Sequence, residues 1–337
     1  MFDRNSIITS KKFKESCDIV FSEVINIGEF EKIKQINNFA IFDENEENIL
    51  YQLKKIKLKS DISIFCPTFM VKDLFKILNK YKSLKNITLV SHQGDDLIDK
   101  KLFDMKPQCI DKWFSTNVIH RNDKLISIPL GIANFNNKNL NENDFDIFEK
   151  NTYFRKKDIN LYINFQKNTN NKERDKLYDI FQDQKWLSFE EPVQNLNDYK
   201  SMIKNSRFVL APWGNGVDTH RFWEILYSGS IPITKNNIVY EFAKDLPVLF
   251  VNDYSEVNEE LLNNFLNENK DTEFNFEILK FSFWKDKIST SNLQKDGNKV
   301  VKIELCEKRD PFFLSDHPGV KAWYKRFNEG KSLEVLS

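Results

Sequence analysis

The run RFVLAPWGNGVDTHRFWEILYSGSIPITK, Arg207–Lys235, leaves little choice of fold. It opens on an apolar strand pattern ended by Pro212. A turn holding Gly214 and Gly216 follows, and both glycines permit tight or positive-φ backbone. A helical pattern then starts at Asp218 or Thr219, either of which suits a helix cap. It stops at Gly229, where a C′ glycine belongs. A second apolar strand, Ile231–Thr234, completes the unit. Strand, helix and strand within about 30 residues make a βαβ unit with parallel strands. Parallel sheets are covered by helices, so the run predicts an α/β fold.

The rest of the chain repeats the theme. Ile62–Cys66 is a short strand pattern, Val71–Tyr81 has helical spacing, and Ile87–Val90 is a strand pattern again. Leu125–Ile128 is a further strand candidate, closed by Pro129 and Gly131. Residues 134–152 are Asn-rich and polar, which predicts a linker and a boundary near 150. Beyond it, Leu161–Phe165, Phe208–Ala211, Ile231–Thr234 and Val248–Val251 read as strands. Arg174–Phe181 reads as a helix, and Ser255 as the cap of one running to about Phe265.

A single core stops growing at roughly 250–300 residues, so 337 residues predict more than one domain. Lys plus Arg and Asp plus Glu number 50 each, and this balance argues against a general nucleic-acid binder. Cys17, Cys66, Cys109 and Cys306 are far apart without a CxxC pair, so neither a zinc site nor a disulfide framework is expected. Scattered thiols fit a cytosolic protein. No apolar stretch has the length of a membrane span, and the first residues lack the apolar core of a signal peptide.

The helix after the glycine turn has a readable face pattern. Phe222, Ile225 and Leu226 form a core stripe that Trp223 and Tyr227 extend, with His220, Arg221 and Glu224 opposite. A glycine turn opening a helix after a parallel strand is a ready anion site, through its unpaired N–H groups and the helix dipole. A cation and a carboxylate beside it suit a phosphate and a ribose diol. A surface ion pair between Arg221 and Glu224 is the plainer alternative.

These residues carry a resemblance. APWGNGVDTHRFWEILYSGSIPI resembles the signature segment of exostosin-like glycosyltransferases, where a G-x-G-x-D-x-H-R-x-W-E-x-L run precedes a G-x-I-P-I strand. LYINF followed by Arg174, and Tyr199–Ser206 leading into RFVLAP, are similar to the same group. SHQGDD, KWFSTN and ISIPLGIAN resemble bacterial and viral members. The resemblance is dense over about 85–250. It implies a GT-B fold, two Rossmann-like domains facing a cleft, and sugar transfer from a nucleotide-sugar donor to a glycan or glycoconjugate acceptor. Residues 1–150 would form the acceptor domain and 151–290 the nucleotide-sugar domain. Residues 291–337 would be a tail packing back on the first. Arg221 would meet the diphosphate and Glu224 the ribose. Gly214, Asn215 and Gly216 would approach the donor's phosphate or sugar, with Asp218 and His220 nearby. Eukaryotic exostosins carry an N-terminal membrane anchor. Its absence from this sequence leads us to expect a microbial or viral cytoplasmic enzyme, touching membranes only peripherally.

A general base for the acceptor is expected in the loop after a first-domain strand, at His92 or Asp95. His120–Arg121 and His317 read as loop residues, and Phe281–Trp284 and Trp323 as packing. Asp144-x-Asp146 reads as a chance match to a metal motif. With the helix N-terminus and Arg221 to neutralise the diphosphate, no metal and no cofactor beyond the donor is expected. The resemblance suggests inversion with one base. The rival readings are a nucleotide-sugar epimerase or hydrolase of the same fold, and a non-catalytic glycan- or nucleotide-binding module.

Overall fold

The computed structural model describes residues 6–21, 24–26, 39–44, 48–53, 55–133, 145, 150–192, 195–290 and 300–304. The chain divides into two compact units. One holds the chain through Lys12, then Thr116–Ile119 and Ser127–Asp286. The other holds Phe13–Ser115, His120–Ile126 and the chain from Lys287. The expected linker lies largely outside the described residues, as do Asp144, Asp146, Cys306, His317 and Trp323.

The strands in chain order begin with β1 (Ile19–Val20), β2 (Val24–Asn26), β3 (Phe39–Glu44), β4 (Asn48–Leu53) and β5 (Lys55–Lys59). There follow β6 (Ser63–Pro67), β7 (Ile87–His92), β8 (Ile110–Ser115) and β9 (Leu125–Ser127). The later ones are β10 (Ile159–Ile163), β11 (Ser188–Phe189), β12 (Ser206–Leu210), β13 (Ile231–Lys235), β14 (Leu249–Val251) and β15 (Val300–Glu304).

A first sheet has the order β1-β6-β7-β8-β9, with β1, β6, β7 and β8 parallel. Every residue of β6 and β7 is buried, as central parallel strands require. Cys17, Cys66 and Cys109 are buried free thiols, and burial pushes that of Cys17 up to about 12. Two small antiparallel sheets, β2-β4-β3 and β15-β5, come from segments that carry no βαβ signal.

The second sheet is wholly parallel, in the order β11-β10-β12-β13-β14. Numbered along the chain this is 2-1-3-4-5, a doubly wound order that reverses between β10 and β12. The first sheet runs in chain order without such a reversal. A crevice outside the carboxyl ends at a reversal is where open α/β sheets bind ligands. Among the described residues, the second sheet alone has that feature, and it contains the Arg207–Lys235 unit.

Several local expectations need correction. The helix of that unit spans His220–Tyr227, and its cap position falls on Thr219, whose side chain makes no capping bond. Asp218 does not cap it either, because its carboxylate is engaged elsewhere. Gly229 has φ +69° as a C′ glycine should, whereas Gly214 and Gly216 are not in the positive-φ region. Their turn is tight instead, with the Gly214 N–H donating to the Gly216 carbonyl at 3.0 Å. Ser255 caps nothing long: it lies in a 3₁₀ turn, Tyr254–Glu256, and Asn258 caps the helix Glu259–Asn269 by accepting from the Leu261 N–H.

Candidate functional site

The carboxyl edge of the second sheet is built from the loops after β10, β11 and β12. Arg174, on the helix Asn171–Phe181, is buried and joins two of them. Its Nη1 donates to the Gln166 carbonyl at 2.7 Å, and its Nε to the Trp213 carbonyl at 2.9 Å. Its Nη2 reaches the Pro212 carbonyl at 3.3 Å. Asn170, which caps that helix, donates from Nδ2 to the Gly214 carbonyl at 2.9 Å. The glycine turn is thus fixed from below by two side chains. A Cβ on Gly214 would stand 3.5 Å from Arg174 Nη2, Thr169 Cγ2 and Thr219 Cγ2, which places these groups around it.

Three polar atoms on this stretch are buried without a hydrogen-bond partner: Trp213 Nε1, Thr219 Oγ1 and Arg221 Nη1. All three can donate. Buried donors left unpaired cost about 1–3 kcal/mol each, more for a charged group. Such a set within nine residues of the loop and the helix start calls for an explanation. The other cations nearby are engaged. Lys235 pairs with Glu173 at 2.9 Å, and Lys167 lies 3.3 Å from the centre of the Tyr178 ring. Burial, reinforced by the charge of Arg221, lowers Arg174 to about 10, so its guanidinium remains positive at neutral pH.

One tyrosine–glutamate pair packs against Arg221, and a second lies within its electrostatic reach. Its guanidinium carbon lies 5.0 Å from the ring centre of Tyr199, whose hydroxyl donates to Glu224 Oε2 at 2.9 Å. Tyr162 on β10 donates to Glu190 Oε2 at 3.0 Å. Burial, then the Glu190 carboxylate, raises the Tyr162 hydroxyl, and Arg221 lowers it, so the cation sits within electrostatic reach. Glu224 was expected in a polar patch, with a surface ion pair to Arg221 as the plainer alternative; Phe222–Tyr227 are all buried and Glu224 is only 8% exposed. Among the described residues Arg221 forms no ion pair with either glutamate, so the surface pair Arg221–Glu224 is absent.

Asp218 and His220 are turned inward. Asp218 is 2% exposed; its Oδ2 accepts from the Leu130 N–H at 2.8 Å and its Oδ1 from Trp223 Nε1 at 2.9 Å. Its own N–H donates to Asn117 Oδ1 at 2.9 Å. Asn117 has φ +53°, a region that asparagine tolerates. His220 Nδ1 meets the Gly131 carbonyl at 2.8 Å, where the proton must lie on the ring. These bonds hold the start of the helix. Burial, which disfavours the charged form, pushes the Asp218 carboxyl up to about 7. Asn215 is exposed, while Gly214 and Gly216 are buried.

In the other unit, His92 ends β7 and is fully buried. Its Nδ1 accepts from the Gln93 N–H at 2.8 Å, and its ring lies 5.3 Å from that of Phe13. Asp95 is exposed. His120 is half-buried beside Phe103, and Trp284 is buried. Among the described residues no group of three or more His, Cys, Asp or Glu is arranged to hold a metal ion, and no helix is long and apolar enough to cross a membrane.

Tyr162 and Glu190 were not singled out by the sequence. β11 is two residues long, too short to show a period, so nothing marked Glu190 as a strand end.

No protein-family profile and no curated protein matches the chain. Among solved structures it is similar to AviGT4, a glycosyltransferase involved in avilamycin A biosynthesis. The two share 9% identity at a TM-score of 0.29, over 81% of this chain and 86% of that one. A likeness that loose fixes neither topology nor activity.

Proposed function

We propose that the chain is a glycosyltransferase drawing on a nucleotide-sugar donor, with the nucleoside diphosphate at the carboxyl edge of the second sheet. The observation that carries this reading is the set of buried, unpartnered donors at Trp213, Thr219 and Arg221, placed at the reversal of strand order. A diphosphate has acceptors enough for all three. The leaving diphosphate gains negative charge as the glycosidic bond breaks, and a guanidinium fixed beforehand stabilises that charge without reorganising. Arg221 has this role, the Gly214–Gly216 turn lets the ligand approach the backbone, and Glu224 takes ribose hydroxyls beside Tyr199. Asp218 and His220 hold the helix rather than the ligand.

The GT-B arrangement, the glycan acceptor and inversion follow from the exostosin-like segment. On the acceptor side Asp95 is the base we favour, because it is exposed while the Nδ1 lone pair of His92 is occupied.

Titration calorimetry with nucleoside diphosphates tests the site. Wild type should bind, and Arg221→Lys should lose affinity, because an ammonium cannot reproduce the fork geometry on phosphate. With donor and acceptor in hand, loss of Arg221 should lower kcat by about 10²–10³, and turnover in EDTA should match that in Mg²⁺. Failure of every nucleoside diphosphate to bind at millimolar concentration contradicts the proposal.

A further inference from the structure

We propose that Glu190 reads the nucleobase and that the base is guanine, an inference that rests on the nucleotide site proposed above. The strand order places β11 beside β10 and β10 beside β12, so the ends of β11 and β12 lie about 10 Å apart at ordinary strand spacing. Arg221 marks the phosphate end, in the loop-and-helix unit that follows β12. A nucleoside running from it along the sheet edge, past the end of β10 and outside the fully buried Tyr162, brings its base to the end of β11. Glu190 stands there.

Glu190 is held as a reader of ligand should be. Its backbone N–H donates to the Ile163 carbonyl at 2.9 Å, which extends the β10–β11 pairing to this residue. Asn164 Nδ2 donates to the Glu191 carbonyl at 2.9 Å and fixes the next peptide. The Tyr162 hydroxyl takes Oε2, and among the described residues this is the only side-chain bond to the carboxylate. Oε1 is left to accept. Glu190 is half-buried, so a bond made there is partly shielded from water. Its neighbour Glu191 is exposed and held by Tyr178 at 3.3 Å.

An ionised carboxylate only accepts hydrogen bonds. The Watson–Crick edge of guanine offers two adjacent donors, N1–H and the exocyclic amine. Uracil offers one N–H between two carbonyls that a carboxylate repels. Adenine and cytosine each set an acceptor beside their amine. Guanine is thus the base whose edge suits Glu190, and the donor is a guanosine-diphosphate sugar.

Calorimetry on the wild-type chain with GDP, IDP, UDP, CDP and ADP tests this. GDP should bind tightest, and IDP, which lacks the exocyclic amine, roughly tenfold weaker, as expected for one bond to a charged group. Glu190→Gln, checked for folding by its melting temperature, should lose most of the GDP preference, because the amide sets an N–H against a ring N–H. Arg221→Lys should weaken all five ligands without changing their order. Equal affinity for all five in wild type overturns the base reading and leaves the diphosphate site standing. So does an equal loss for every base in Glu190→Gln, which would make Glu190 a ribose contact. Binding of none overturns both readings. If Glu190→Gln does not fold, the wild-type GDP-to-IDP ratio decides alone.

Discussion

At the scale of single residues, Asp218 makes a sharp claim about pH. Its carboxyl is pushed up to about 7 in the folded chain, against an ordinary value of about 4. The folded state therefore holds a proton that the unfolded state releases between those values. The contribution to stability is full below pH 4 and is lost as pH rises through 7. Three units correspond to roughly 4 kcal/mol. Asp218→Asn removes the titration, so the stability of wild type relative to this variant should fall steadily from pH 5 to pH 8. Urea melts of both proteins across that range give the difference, and a pH-independent gap would mean that the carboxylate keeps its ordinary affinity for protons. The same residue shows what the sequence left hidden. Asp218, His220 and Glu224 were legible as polar groups at a helix start, but their partners were not. Asn117 and Leu130 lie about 90–100 positions away, and nothing in the local pattern names them. Arg221 stood out in the sequence because a strand end, a glycine turn and a helix lie next to it, but its neighbours Tyr199 and Tyr162 come from other elements and were not marked as such.

At the scale of elements, burial decided what could be read. β6, β7, β10, β12 and β13 are short apolar runs because parallel central strands bury both faces, and the sequence shows them within one to three residues. β11 has two residues, and β8 sets the charged pair Asp111–Lys112 ahead of Trp113–Phe114; neither announces itself. Caps are competed for: Ser255 and Asn258 both suit the role, and the Asp253–Glu256 capping box draws Ser255 into a separate turn. Gly229 is the clearest case of a sequence signal with a steric cause. Its φ is +69°, and a Cβ there would come within 2.2 Å of Thr152 Cγ2. The left-handed conformation alone costs a non-glycine residue about 1–2 kcal/mol. Gly229→Ala should thus lose at least about 2 kcal/mol in denaturant unfolding, and stability equal to wild type would contradict the packing of the helix end.

At the scale of the whole molecule, residue 150 falls between the two parallel sheets, yet the unit that holds the second sheet also takes in three earlier stretches of chain. Four bonds depend on them, three fully buried and one partly: the Ile8 N–H to the Tyr227 hydroxyl, the Asp218 N–H to Asn117 Oδ1, the Leu130 N–H to Asp218 Oδ2, and, partly buried, His220 Nδ1 with the Gly131 carbonyl. Each unpaired buried group costs about 1–3 kcal/mol, and a whole domain is stable by only about 5–15. A fragment of residues 151–290 should therefore fail to show a cooperative melt by circular dichroism, whereas the full chain should show one. A sharp melt in the fragment would mean that these bonds add little. The tie at Ile8 also sets an order of events during synthesis. Ile8 leaves the ribosome 271 residues before Leu279, the other hydrogen-bond partner of Tyr227. At about 5–20 residues per second that is an interval of roughly 14–54 s. Through all of it Ile8 has only its earlier partner, Ile132, whose N–H meets the Ile8 carbonyl at 3.0 Å, and the chain from Ile8 through Tyr227 to Leu279 cannot be closed.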